Sequence, residues 1–195
     1  THKFAAKNCQ KAQFLNQIIS QNPNLNTQSR VNLQNQIIDN LKLSEENYKK
    51  AIELKTNYVL AIYNLGAIYE RVGRVKDAIA QLEIIGTTNS SDANIALQLG
   101  LLYYRDNQKG KSFNELQRAV AVFPDFSNAR WYLALLFEER GQLDNALQEL
   151  YKIREFNPDN QILENKISEL EKGIRSIPPQ RVTGIGPLEE QNQTQ

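Results

Sequence analysis

The apolar positions of this chain fall at spacings of three and four over almost its whole length, the periodicity of helices with one buried face. Residues 3–21 carry Phe4, Ala5, Cys9, Ala12, Leu15, Ile18 and Ile19, which predicts an amphipathic helix ended at Asn22-Pro23-Asn24. Residues 28–41 offer Val31, Leu33, Ile37, Ile38 and Leu41, a second and less regular helix. After Lys42-Leu43-Ser44, the stretch Glu45 to Leu54 puts Tyr48, Ala51, Ile52 and Leu54 on one face, with Ser44 available as its cap.

From residue 59 the pattern becomes strict. Leu65, Gly66 and Tyr69 return as Leu99, Gly100 and Tyr103, and after the same interval again as Leu133, Ala134 and Phe137. Each unit predicts a first helix (about 60–72, 94–106 and 128–140) and a turn at Gly73, Asn107 or Gly141, residue types that tolerate the left-handed backbone. A second helix follows, carrying Ala78, Leu82 and Ile85, then Ser112, Leu116 and Ala119, then Ala146, Leu150 and Ile153. Pro124 and Pro158 close two units, with Ser90 at the matching place in the first. The small residues mark where two antiparallel helices cross too closely for a larger side chain. Self-similarity at such a period is the signature of stacked repeats.

These residues resemble the tetratricopeptide repeat, a helix-turn-helix unit of about 34 residues. The resemblance implies an all-α fold, a right-handed α-solenoid of stacked antiparallel helix pairs with a C-terminal capping helix. It divides the chain into N-terminal helices with a degenerate repeat (1–58), three full repeats (59–92, 93–126 and 127–160), a capping helix (161–176) and a flexible tail (177–195). The degenerate copy spans 25–58: its second half is good, but Asn32 and Asn35 stand where Gly and Tyr belong. Residues 3–23 resemble one more second helix. The cap rests on Ile162, Leu163, Ile167, Leu170 and Ile174 among Glu and Lys, since an uncapped array exposes its stacking surface.

Composition narrows the function. The net charge is +1, and no apolar run is long enough to cross a membrane, so direct membrane insertion of this segment is not expected. Charge is mildly uneven, with 8 Lys/Arg against 4 Asp/Glu over 1–58, but blocks of like charge are absent, which supports neither nucleic acid nor a polybasic membrane patch. His2 is the only histidine, at the chain start, so triads, zinc sites and His-based acid–base chemistry have no footing. Cys9 reads as a small apolar filler, and Gly184-Ile185-Gly186-Pro187 lacks the strand and helix that phosphate cradling requires. No cofactor, metal or catalytic residue is expected, and the chain is read as non-enzymatic. It begins at Thr1 and contains no Met, which suggests a fragment of a longer protein. The compartment stays open between the cytoplasm and attachment to a membrane protein upstream, and the oligomeric state is open.

In the repeats this chain resembles, first helices line a concave surface that holds a protein or peptide partner. Carried over position by position, the lining is Tyr63, Asn64, Ala67, Glu70 and Arg71 in the first strict repeat. The second supplies Asn94, Leu97, Gln98, Leu101, Tyr104 and Arg105, and the third Asn128, Trp131, Tyr132, Leu135 and Glu138. Trp131, Tyr104 and Tyr63 would be the anchors, since aromatics with a polar tip dominate such interfaces. Tyr104 is expected to stand exposed in the groove, while Trp131 could equally pack between neighbouring first helices. The cationic clamp that chaperone-tail-binding repeats use is missing, with Asn94, Leu97, Gln98 and Asn128 at its places. Lys76, Asp77, Glu83, Glu115, Arg118, Glu149 and Lys152 read as a solvated outer face. A second resemblance, in the run Ser127 to Ala134, is to the C-terminal repeat regions of bacterial O-antigen ligase or polymerase-like membrane proteins. It implies an accessory domain in cell-surface polysaccharide assembly.

Overall fold

A computed structural model describes residues 1–175 of the chain. These residues form helices α1 (His2–Gln21), α2 (Thr27–Leu54), α3 (Val59–Arg71), α4 (Val75–Thr88), α5 (Ala93–Arg105), α6 (Lys109–Val122), α7 (Ser127–Glu139), α8 (Leu143–Phe156) and α9 (Gln161–Glu171). The fold is all-α. Two compact units divide it, Thr1–Ile85 and the residues from Gly86 onward.

In the first unit α1 and α2 form a long helical pair. Asn22 donates its side-chain amide to the Ile18 carbonyl at 2.9 Å as α1 ends, and Asn26 caps α2 by accepting from the Ser29 N–H at 2.8 Å. α2 runs unbroken from Thr27 to Leu54, so the two helices expected either side of Ser44 are one. The physical reason is local. Lys42-Leu43-Ser44 holds neither Gly nor Pro, and the Ser44 hydroxyl, at 2.8 Å from the Asn40 carbonyl, bonds within the helix instead of capping a new one. The same hydroxyl lies 3.1 Å from the Ala5 carbonyl. Ala5, Ala12 and Leu15 are the buried side of α1, and Leu41, Ser44, Tyr48 and Ala51 that of α2.

The strict helices keep register to the residue. First helices start at Val59, Ala93 and Ser127, second helices at Val75, Lys109 and Leu143, so both series advance by one constant step. Each first helix ends in the same way. Gly73, Asn107 and Gly141 have φ of 78°, 60° and 74°. The next N–H reaches back over the left-handed residue, from Arg74 to the Tyr69 carbonyl at 2.8 Å, Gln108 to Tyr103 at 2.8 Å and Gln142 to Phe137 at 2.9 Å. That closes otherwise orphaned carbonyls. Asn107 replaces glycine because its short polar side chain also tolerates the left-handed region.

Close crossings explain the small residues. A Cβ on Gly66 would lie 2.3 Å from Leu82 Cδ1, and one on Gly100 would lie 2.7 Å from Leu116 Cγ. In the second unit Ser112 donates to the Gly100 carbonyl at 2.8 Å. The core there runs through Leu116, Ala119, Phe126, Leu133, Leu136, Leu150 and Ile153 to Leu163, Ile167 and Leu170 of α9. α9 begins at Gln161, one full repeat period after Ser127, capped by Asn160, and so stands in register as a further first helix. The tail expected at 177–195, with its Gly184–Pro187 and Glu189-Glu190 segments, lies outside the described residues.

Candidate protein-interaction surface

Burial sorts the first-helix positions expected to line a groove into two groups. On α3, in the first unit, Tyr63 is 37% exposed, Ala67 and Arg71 are exposed, and Asn64 and Glu70 are half-buried. The Asn64 amide donates to the Leu60 carbonyl one turn back at 2.7 Å. Arg71 approaches Cys9 Sγ at 3.8 Å, and Cys9 is only partly buried, where the sequence suggested a core filler.

In the second unit α5 presents Asn94, Gln98 and Arg105 along one stripe, Asn94 and Arg105 exposed and Gln98 half-buried, and α7 adds half-buried Asn128. The apolar and aromatic positions differ from the expected exposed lining. Leu97, Leu101, Tyr104, Trp131, Tyr132 and Leu135 are all 7% exposed or less and belong to one core cluster. Of the two roles open to Trp131, packing is the one observed, and Tyr104 is buried at 6% where an exposed ring was expected. The cause is helix spacing: where first helices lie side by side, a large ring on one reaches its neighbour before it reaches solvent. The Tyr104 and Tyr132 ring centroids stand 6.2 Å apart.

Tyr104 keeps its polar tip engaged. Its hydroxyl donates to Glu139, and Lys109 Nζ sits 3.3 Å from the Tyr104 ring centroid and 3.1 Å from the same Glu139 oxygen. Burial, then the Glu139 carboxylate, holds the Tyr104 phenol protonated well above its ordinary range. Burial alone raises Tyr132 in the same direction.

Glu138 is fully buried. Lys166 of α9 places Nζ 2.9 and 2.7 Å from its two carboxylate oxygens. Arg175 donates to the Glu138 carbonyl at 2.9 Å and the Glu139 carbonyl at 3.2 Å, a cationic cap on the end of α7. Arg130, 7% exposed, donates to the Pro124 carbonyl at 2.7 Å and pairs with Glu149, which takes Glu149 out of the solvated outer face. Sequence reading missed the roles of Lys109, Glu139, Arg130, Lys166 and Arg175, because their charged or carbonyl partners lie on other helices, 19 to 37 residues away along the chain. The one usable signal was Arg130 itself, a charge in an otherwise apolar run. Among the described residues no group of His, Cys, Asp and Glu could hold a metal ion, and no helix is long and apolar enough to cross a membrane.

Helix pairs repeated at a fixed period, closed by a left-handed residue and crossed at small side chains, define the tetratricopeptide-repeat fold. Residues 97–160 match the family model described as tetratricopeptide repeat. A human relative, the protein O-mannosyl-transferase TMTC3, is 27% identical over 119 residues, covering 60% of this chain. The chain spans 13% of that relative's length. Among solved structures, MamA superposes with a TM-score of 0.65 at 23% identity over 72% of this chain and 82% of that one. YrrB, described as a repeat protein with an unusual peptide-binding site, superposes at 0.61 and 21% identity over 83% and 84%. At these identities the likeness is one of fold.

Proposed function

We propose that this chain is a protein–protein interaction scaffold whose first helices hold a segment of a partner protein. The observation that carries the reading is the α5 stripe. Asn94, Gln98 and Arg105 point one way from a helix whose Leu97, Leu101 and Tyr104 are locked in the core. Amide side chains at successive turns suit the N–H and C=O groups of an extended backbone, and Arg105 suits a carboxylate. Asn128 widens the stripe onto α7, with Tyr104, Trp131, Tyr132 and Leu135 as the rigid floor. Tyr63, Asn64, Ala67, Glu70 and Arg71 make a corresponding strip on α3 in the first unit. The peptide-binding site named for YrrB supports this use of the fold. Rigid placement matters here, because side chains already held lose little entropy on binding.

Selection of peptides from a displayed random library against the full chain tests the reading. Selected peptides should lose about tenfold or more in affinity for Gln98→Ala with Arg105→Ala, at an unchanged melting temperature. Equal affinity for that variant would overturn it.

A second reading, an accessory repeat domain in cell-surface polysaccharide assembly, draws on one observation: the matched human relative is a glycosyl-transferring protein of which this chain spans 13%. The full reading frame tests it. Apolar spans upstream of Thr1 would favour it, and a polar upstream region would remove it.

A further inference from the structure

A cleft of about 440 Å³ in the second unit opens where the loop before α5 meets the end of α6, beside Asn94, the first residue of the α5 stripe. Its apolar wall is Val122, Phe123 and Phe126. Phe126 is buried, whereas Val122 is 41% exposed and Phe123 39%. The two phenylalanine rings stand 5.5 Å apart between centroids, which holds the exposed one in place. The polar wall is Asn89, Asp92 and Asn94. Asp92 uses one carboxylate oxygen to cap α5, accepting from the Asn94 N–H at 2.9 Å and the Ile95 N–H at 3.1 Å. Its other oxygen, and the side chains of Asn89 and Asn94, have no hydrogen-bond partner among the described residues. We propose that this cleft takes an arginine side chain of the bound partner segment, its guanidinium donating to the free Asp92 oxygen and stacking on Phe123.

Charge and shape select that occupant. Among the described residues, Asp92 is the one charged group lining the cleft. Arg118 reaches the same loop at the Ser90 carbonyl, 2.6 Å away, but is paired with Glu115 and is not part of the lining. Arg130 reaches the Pro124 carbonyl and is paired with Glu149. The helix ends do not reverse the sign. Asp92 already meets the positive end of α5, and the negative end of α6 has no Lys or Arg in its last turn. An apolar side chain would cover Phe123 but desolvate the Asp92 oxygen unpaired, and a carboxylate or phosphate would be repelled by it. Lysine brings charge without a plane. A guanidinium is flat enough to lie on a ring and weakly enough hydrated to leave water, and its methylene stem suits the Val122 side. The inference rests on the scaffold reading for the source of the arginine, whereas the cleft itself needs neither Gln98 nor Arg105.

The test uses the full chain and the blocked tripeptide acetyl-Ala-Arg-Ala-amide, followed through backbone amide shifts by nuclear magnetic resonance. Shifts should saturate at Asn94, Ile95 and Phe123. Replacing the arginine of the tripeptide by citrulline, its neutral isostere, should weaken binding about tenfold. Asp92→Asn keeps the cap, because asparagine caps a helix as well as aspartate does, and should weaken the arginine tripeptide about tenfold at an unchanged melting temperature. Phe123→Leu keeps the wall apolar and should weaken it about threefold. Gln98→Ala with Arg105→Ala should leave tripeptide binding unchanged, so a failure of the stripe and a failure of the cleft are told apart. Absence of saturable shifts at the cleft would overturn the proposal. So would equal binding of the citrulline, lysine or leucine tripeptide, indifference to Asp92→Asn, or loss of tripeptide binding in the stripe variant.

Discussion

Ser44 sets its hydroxyl 3.1 Å from the Ala5 carbonyl, the contact Ser112 makes with Gly100 at 2.8 Å in a strict repeat. Ser44, Ala78, Ser112 and Ala146 are evenly spaced at the repeat period, so the partner of Ser44 should be Asn32. It is Ala5 instead. α1 therefore fills the place of a first helix, not of a second helix as the sequence suggested, and the front half of α2 is an extension of a second helix. Asn32 and Asn35 break the pattern because no turn or crossing exists there to need Gly or Tyr.

This pairing makes Ala5 the sensitive member. Ala5→Leu should cost about 1–3 kcal/mol by overpacking the crossing. Ser44→Ala should cost about 1 kcal/mol or less, since the carbonyls it touches keep their helical partners. Urea unfolding followed by circular dichroism separates the two, and a larger loss for Ser44→Ala would contradict the crossing geometry.

The two repeat glycines should respond differently. A Cβ at Gly100 meets Leu116 at its branching Cγ and also stands 3.4 Å from its backbone N, whereas at Gly66 the close atom is the tip of Leu82. Gly100→Ala should destabilise by about 1–3 kcal/mol. At Gly66→Ala a rotation of Leu82 and the helix-propensity gain of about 1 kcal/mol should leave stability nearly unchanged. Equal shifts in melting temperature would count against this reading.

The buried groove rings should behave as core. Trp131→Ala is expected to cost about 3–5 kcal/mol through the cavity it leaves, and a full-stability Trp131→Ala protein would return that ring to the surface.

Removing Lys166 while keeping Glu138 strands a buried carboxylate, so Lys166→Met should cost about 3–5 kcal/mol, and Glu138→Leu with Lys166→Met should recover most of it. A double-mutant cycle in urea measures the difference.

Burial, then the neighbouring Cys9 and Tyr58, pushes the Tyr48 phenol up to about 12 from 10.0. The folded state holds this proton more tightly than the unfolded chain, so the contribution is intact below pH 10 and is lost as pH rises towards 12. Tyr48→Phe should flatten the fall in stability over that window. Glu45 acts at the other end: burial raises it, but Lys49 and Arg74 outweigh burial and hold it below 4.5. Its stabilisation is therefore lost as pH falls below that value, and Glu45→Gln should flatten the acid limb of the stability profile.

What the sequence determined by itself is the set of relations that local geometry repeats. The constant register of the strict repeats, the left-handed turns at Gly73, Asn107 and Gly141, and the crossings at Gly66 and Gly100 each follow from a residue that one backbone conformation or one close approach demands. Tertiary structure alone decided which helix faces the second half of α2, whether Tyr104 and Trp131 face solvent, and which charges are paired. Those outcomes depend on distances between residues tens of positions apart, such as Lys166 to Glu138 or Ala5 to Ser44, and a helical period carries no information about which neighbour will cover a given face.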